Sequence, residues 1–307
     1  MPALKQNSQG SQDRQAWLAQ RERGSPLAMQ ALAWVTLKFG RPFGRLFLPP
    51  ICLYFIVFSV AGRRSSRDYL RRVLGRAPGW RDVLRHYHAF ASTVHDRLYL
   101  LSGQYRYFDV RVQGFAEAEA LMRGRGCILL GSHLGSFEVL RTLGMYTQDL
   151  TINVLMHEDN ANKINGVLHS LNPDIKPRVI PMGQPDTLLK VQECLERGEI
   201  VGMLGDRTFS SDKQVHCQFL GGEVALPQGP LAVAALLGVP VVLFFGLYRG
   251  GRRYDLHFEV FETETAVPRA ERSARIAQWV QRYADRLAHY CRLAPYNWFN
   301  FYPYWNE

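Results

Sequence analysis

The chain has 307 residues, 47% hydrophobic and 12% aromatic, the composition of an ordinary globular protein with room for one large domain or two small ones. Its formal charge of +10 is uneven: Met1–Gln113 hold 18 Lys and Arg against 6 Asp and Glu, a net +12, and the remaining residues sum to −2. That skew suits contact with an anionic surface, whether phospholipid head groups, an acidic protein or nucleic acid.

Residues 1–24 are polar, rich in Gln, Ser and Arg, and lack the apolar segment and cleavage site of a secretory signal, so they read as a flexible tail. Two apolar runs follow, Leu27–Phe39 and Leu46–Ala61, the second with Pro49 and Pro50 inside it. Neither reaches the ~20 residues that span a bilayer upright. Between them lies Gly40-Arg41-Pro42-Phe43-Gly44-Arg45, and behind them stand six arginines from Arg63 to Arg76. The pair fits a re-entrant or interfacial helical hairpin on a membrane with anionic phospholipids; a buried helical pair with a solvated basic face is the alternative.

Ser65 and Ser66 are placed to cap a helix ending near Leu74, and Trp80–Leu101 has the apolar spacing of a long amphipathic helix. His88 and His95 share one face of it, but no carboxylate completes an H-E-x-x-H pattern, so no metal site is expected. The five cysteines are scattered, odd in number and without a C-x-x-C pair, which argues for buried thiols in a reducing compartment.

From Phe108 short strands alternate with helices. The strands are predicted at Phe108–Val112, Cys127–Leu130, Thr151–Met156, Arg178–Pro181, Glu199–Leu204, Val239–Leu247 and Tyr254–Phe261. The helices fall at Phe115–Met122, Asn160–Leu171, Asp186–Glu196, Leu231–Leu237 and within Pro268–Arg292. This is an α/β pattern with a mixed central sheet flanked by helices over residues 106–307, packed as one unit with a helical membrane-associating region at 25–105. The last residues, Ala294–Glu307, form an aromatic tail that either packs back onto the body or meets lipid.

The chemistry concentrates at Gly126–Arg141. The apolar run Cys127–Leu130 feeds through Gly131 and Ser132 into an amphipathic segment, predicting strand, tight turn and helix, with Ser132 as N-cap. His133 stands at the junction and titrates near neutral pH, and Glu138 is the nearest carboxylate that could orient it. Five residues turn through about 140° on a helix, so the two meet only if His133 precedes the first turn and Gly131 and Gly135 let the loop fold back. Ser132 and Ser136 flank His133, but neither sits in a G-x-S-x-G elbow, so a serine hydrolase is not indicated. A second charged pair, Asp206-Arg207, follows the strand Glu199–Leu204, the end of a buried strand where open α/β sheets build sites; a surface ion pair is the other reading. Beyond it Gly229 and Pro230 open a helix whose free N–H groups would favour an anion or a developing oxyanion.

His133, four intervening residues and Glu138 resemble the H-x4-D/E motif of glycerolipid and lysophospholipid acyltransferases. The second block is a strand ending in Asp206, a Phe-Gly turn, Pro227-Gln228-Gly229-Pro230 and an Ala/Leu-rich helix ending in Gly238-Val239-Pro240-Val241. Together the blocks, over roughly residues 25–305, resemble the bacterial lipid A biosynthesis acyltransferases. The resemblance implies an acyltransferase-like fold and an O-acyltransferase moving a fatty acyl chain from an acyl carrier protein or coenzyme A thioester to a hydroxyl of a lipid or glycolipid. It implies His133 as general base, Glu138 as its orienting carboxylate and Asp206 as a further acidic residue of the catalytic centre. Arg207, Ser132, Gly135 and Gly229 become candidates for substrate contact, with no metal and no cofactor beyond the co-substrate. The implied place is the cytoplasmic face of the bacterial inner membrane. The alternative is a non-catalytic membrane- or lipid-binding protein that keeps the fold. Nucleic-acid binding is not expected, because the arginines adjoin apolar runs rather than a recognition helix.

Overall fold

The computed structural model describes residues 36–145, 150–157, 178–208 and 213–305. The tail 1–24, most of the first apolar run and the helix predicted at Asn160–Leu171 lie outside the described residues.

Helices come first among the described residues, including α1 (Arg41–Arg45), α2 (Leu48–Phe58), α3 (Val60–Leu74) and α4 (Trp80–Leu101). The prolines inside the second apolar run open α2, occupying its first turn, where a missing N–H costs nothing. Ser65 and Ser66 do not cap α3; both are buried in its middle. Ser65 donates to the Ala61 carbonyl one turn back, and the Ser66 hydroxyl donates to His86 Nδ1 at 2.8 Å. The opposite ring nitrogen of His86 donates to the Trp298 carbonyl at 2.8 Å, so α3, α4 and the C-terminal tail meet at one buried imidazole.

Asp96 of α4 is a second junction. Arg41 grips its carboxylate through Nε and Nη2 at 2.8 and 3.0 Å, Arg45 adds a contact at 3.0 Å, and the Tyr254 hydroxyl donates at 2.9 Å. Asp96 and Arg41 are both buried. Satisfying a buried carboxylate from several sides is what makes its burial tolerable.

The α/β part begins at β1 (Asp109–Gln113) and α5 (Phe115–Gly124), then runs β2 (Cys127–Gly131), β3 (Ile152–His157), β4 (Val179–Met182), α6 (Thr187–Glu196) and β5 (Ile200–Leu204). After these come β6 (Gln214–Phe219), β7 (Gly222–Pro227), α7 (Gly229–Leu237), β8 (Val241–Tyr248), β9 (Arg253–Glu262) and α8 (Arg272–Leu293). Seven strands form one mixed sheet in the order β1-β9-β8-β2-β5-β3-β4, with every neighbouring pair parallel except β8 and β9. Strand β2 is central and wholly buried, as an unbroken apolar run between parallel neighbours should be. Successive residues face opposite sides of the sheet. Ile128 and Leu130 join the core under α7 and α8, while Cys127 and Leu129 join the one containing Tyr99, Leu100 and Val139. All five cysteines are buried and free.

Strands β6 and β7 form an antiparallel hairpin absent from the predicted strands, although Gln214, His216 and Gln218 alternate with Val215, Cys217 and Phe219 and put one face in solvent. Its two-residue turn, Leu220-Gly221, has φ of 48° and 77°, the doubly left-handed geometry that suits a tight hairpin. The aromatic tail packs inward: Trp298, Tyr302, Tyr304 and Trp305 are all buried.

Candidate active site

The site forms where β2 and β5 end side by side. These strands are parallel and in register, with Gly131 opposite Leu204, so the residues two positions beyond each, His133 and Asp206, emerge together. Asp206 is 1% exposed and accepts on both oxygens from the histidine: His133 Nδ1–H donates to Oδ1 at 2.9 Å and the His133 backbone N–H to Oδ2 at 3.0 Å. The Trp298 indole donates to Oδ2 at 3.0 Å, and the Tyr304 hydroxyl donates to the Asp206 carbonyl at 2.6 Å. With Nδ1 carrying the proton toward Asp206, Nε2 holds the lone pair, and a third of the His133 side chain is exposed.

The turn around His133 is not the start of an α-helix. After β2 the chain bonds sideways: Gly135 N–H to the Asn297 carbonyl at 2.8 Å, Ser136 N–H to the Gly246 carbonyl at 2.8 Å, and Phe299 N–H to the His133 carbonyl at 3.0 Å. Short bridges pair Leu134 with Trp298 and Gly135 with Gly246. Gly135 has φ of 73°, and a Cβ there would collide with the Gly246 carbonyl, so glycine is required for this approach. Helical structure resumes only at Glu138–Met145, as a 3₁₀ segment, and Ser132 is no N-cap: it is buried at the strand end. Beside it the Tyr283 hydroxyl donates to the Gly131 carbonyl at 2.8 Å.

The carboxylate holding the imidazole is therefore Asp206 and not Glu138. Glu138 is engaged elsewhere: Oε1 pairs with Arg97 Nη2 of α4 at 2.5 Å, and Oε2 accepts from the Ser136 hydroxyl at 3.3 Å. The physical reason is the sideways turn, which takes the chain past β8 before Glu138 is reached. Glu138 still acts on the ring through space. Burial holds the His133 imidazole below its ordinary value of 6.5 and the Arg207 charge pushes the same way, against Asp206 and, more weakly, Glu138. Burial pushes the Asp206 carboxyl up, but His133 and Arg207 outweigh it and hold it at about 2. At neutral pH the pair is a neutral imidazole leaning on an ionised carboxylate, the state a general base needs.

Arg207 is fixed by the same tail, donating from Nη2 to the Phe299 carbonyl at 2.9 Å with its guanidinium 5.7 Å from the Tyr302 ring centre. Gly229 is exposed at the start of α7, and among the described residues no hydrogen bond ties it to His133, Asp206 or Arg207. Sequence reasoning missed Trp298, Tyr304, Tyr283 and Arg97. Only the strand-end positions of His133 and Asp206 gave a usable signal, since parallel neighbours place such ends together.

Among the exposed large hydrophobic side chains of α1, α2 and their connection are Phe43, Leu46, Phe47, Leu53, Tyr54, Val57 and Phe58. Arg41–Phe58 is apolar enough to cross a membrane by length and composition, and 22% of it is buried. This is a weak indication of membrane association.

No curated protein matches the chain. The sequence profile of one family, described as Bacterial lipid A biosynthesis acyltransferase, matches residues 104–307, about two-thirds of the chain, including both strand ends that carry the dyad. With that match over the seven-stranded sheet and its His133–Asp206 pair, the chain belongs to the bacterial lipid A biosynthesis acyltransferases.

Proposed function

We propose that the protein transfers a fatty acyl chain from a thioester of acyl carrier protein or coenzyme A to a hydroxyl of a lipid or glycolipid, at the cytoplasmic face of a bacterial inner membrane. The observation that carries this reading is the His133–Asp206 dyad, with Nδ1 bonded to a buried carboxylate. As the acceptor hydroxyl attacks the thioester carbonyl carbon, its proton passes to His133 Nε2. The resulting imidazolium is stabilised by Asp206. When the tetrahedral oxyanion collapses, the C–S bond breaks and the imidazolium returns the proton to the departing thiolate. Both substrates react directly, so no acyl-enzyme is needed, and the thioester is already activated, so the step asks for no further cofactor.

In this reading Glu138 supports the electrostatics of His133 without touching the ring, and Arg207 lies close enough to His133 to meet the donor's thioester or phosphate. Gly229, at an open helix start, would favour an anionic group, while Ser132 and Gly135 shape the turn that presents His133. The apolar residues of α1 and α2 would lie in the lipid surface, with the exposed arginines of α3 toward anionic head groups.

The test is incubation of the purified protein with labelled acyl carrier protein or acyl-coenzyme A thioesters and a bacterial lipid extract, followed by mass spectrometry of the products. Transfer should be present in the wild type and reduced at least a thousandfold in His133→Ala. Undiminished turnover in that variant overturns the mechanism.

A further inference from the structure

The α4 helix meets the His133 turn through a polar contact at Glu138. Arg97, near its C-terminal end, pairs with Glu138 Oε1 at 2.5 Å, while Glu138 Oε2 is held by Ser136, itself bonded through its N–H to the Gly246 carbonyl. Arg97 and Glu138 are only partly exposed, at 38% and 21%. Water therefore screens the pair less than it would on an open surface. Arg97 precedes the region matched by the family profile, which begins at residue 104. Its neighbour Asp96 faces another way, into the grip of Arg41 and Arg45.

We infer that Arg97 is a positioning residue for the transfer reaction: by fixing and neutralising Glu138 it sets the field at His133, so the working site is shared between the N-terminal helices and the α/β sheet. This rests on His133 being the general base. The charged or titratable groups facing the ring and its turn are Asp206 and Arg207 from the end of β5, Glu138 from the turn itself, Arg97 behind Glu138, Tyr283 from α8 and Tyr304 from the tail. Glu138 opposes the depression of the imidazole. With Arg97 removed, the Glu138 charge acts unshielded and favours the imidazolium, so a larger share of the enzyme is inactive at acid pH. With Glu138 removed the effect reverses. A salt bridge that only glued α4 to the turn would lower stability without moving a titration.

The experiment measures kcat/KM against pH for wild type, His133→Ala, Arg97→Ala, Arg97→Gln, Arg97→Lys, Glu138→Gln and the double variant Arg97→Gln/Glu138→Gln. Arg97→Gln keeps part of the aliphatic stem and a polar end while removing the charge, so it reads the charge even if Arg97→Ala folds poorly. The expected result is a loss on the order of 10- to 100-fold in Arg97→Ala, largely in kcat, with recovery to within a few-fold in Arg97→Lys. The acid limb should move to higher pH by about half a unit in Arg97→Gln and to lower pH in Glu138→Gln. In the Glu138→Gln background, removing Arg97 should cost less than about twofold more. If His133→Ala is inactive while Arg97→Gln keeps both rate and acid limb, or loses rate without any shift and without rescue by Lys, the inference is wrong and the general-base reading stands. If His133→Ala is active, the general-base reading itself has failed.

Discussion

The indole N–H of Trp298 donates to Asp206 Oδ2 at 3.0 Å, on the same oxygen that accepts the backbone N–H of His133. A residue nine positions before the last thus fixes the carboxylate that fixes the imidazole. Trp298→Phe keeps a large aromatic ring among Tyr69, Phe219 and Tyr304 while deleting the donor. The expected outcome is a stability loss of about 1–3 kcal/mol in denaturant melts together with a roughly tenfold fall in kcat. Wild-type kcat in a folded variant would show that the indole only packs.

Asp206→Asn separates charge from shape. The amide cannot stabilise an imidazolium, and by donating toward Nδ1 it would place the ring proton on Nε2, where the base lone pair is needed. Activity should fall on the order of a thousandfold or more. The residual acid limb should shift to lower pH, because Asp206 is the strongest influence raising the His133 value. Stopped assays across pH 5–8 check both.

How far the sequence foretold this can be judged element by element. Strands β2, β5 and β8 were legible because apolar runs between glycines and turns have few other uses, and His133, like Asp206, was legible as a titratable group just past a strand end. The identity of its partner was not. Glu138 is near in sequence, but the path from His133 to Glu138 is set by Gly135 and by bonds to Gly246 and Asn297, which no local pattern encodes. Asp206 lies 73 positions away and becomes a neighbour only through the register of Gly131 with Leu204. The tail showed its aromatic content in sequence but not the two donors, Trp298 and Tyr304, that it aims at Asp206.

Stability should fall on acidification because of His86. Its fully buried ring, bonded on both nitrogens, is held down to about 4 by burial, against which the Trp298 carbonyl is a smaller influence. The unfolded chain takes up this proton near pH 6.5 and the native state only near 4, so the stabilisation is complete above 6.5 and is lost between those values as pH falls. The loss amounts to roughly 3 kcal/mol. His133 adds in the same direction, and Asp206 adds a further loss below pH 4. Denaturant melts at pH 7, 6, 5 and 4 should show this slope, and His86→Gln should flatten it while lowering stability at pH 7.

The apolar residues of α1 and α2 can be tested apart from the chemistry. Leu53→Glu/Val57→Glu alters two exposed side chains of α2 and leaves Cys52 and the core beneath untouched. Each charge should cost about 2–3 kcal/mol if its position is in hydrocarbon. Flotation with vesicles containing anionic phospholipid should then show a loss of binding in a protein that melts as the wild type does. Unaltered flotation would move the contact to another face.

The Asp96 knot has a mechanical corollary. A carboxylate gripped by Arg41, Arg45 and Tyr254 resists displacement, since moving it away from its partners would strand a buried charge. Helix α1 and strand β9 are consequently tied through one carboxylate of α4, a connection that resists change in the spacing between the greasy helices and the sheet. For an enzyme seated on a bilayer by those helices, the His133 imidazole would stand at near-constant altitude, and an acceptor hydroxyl would have to climb to it.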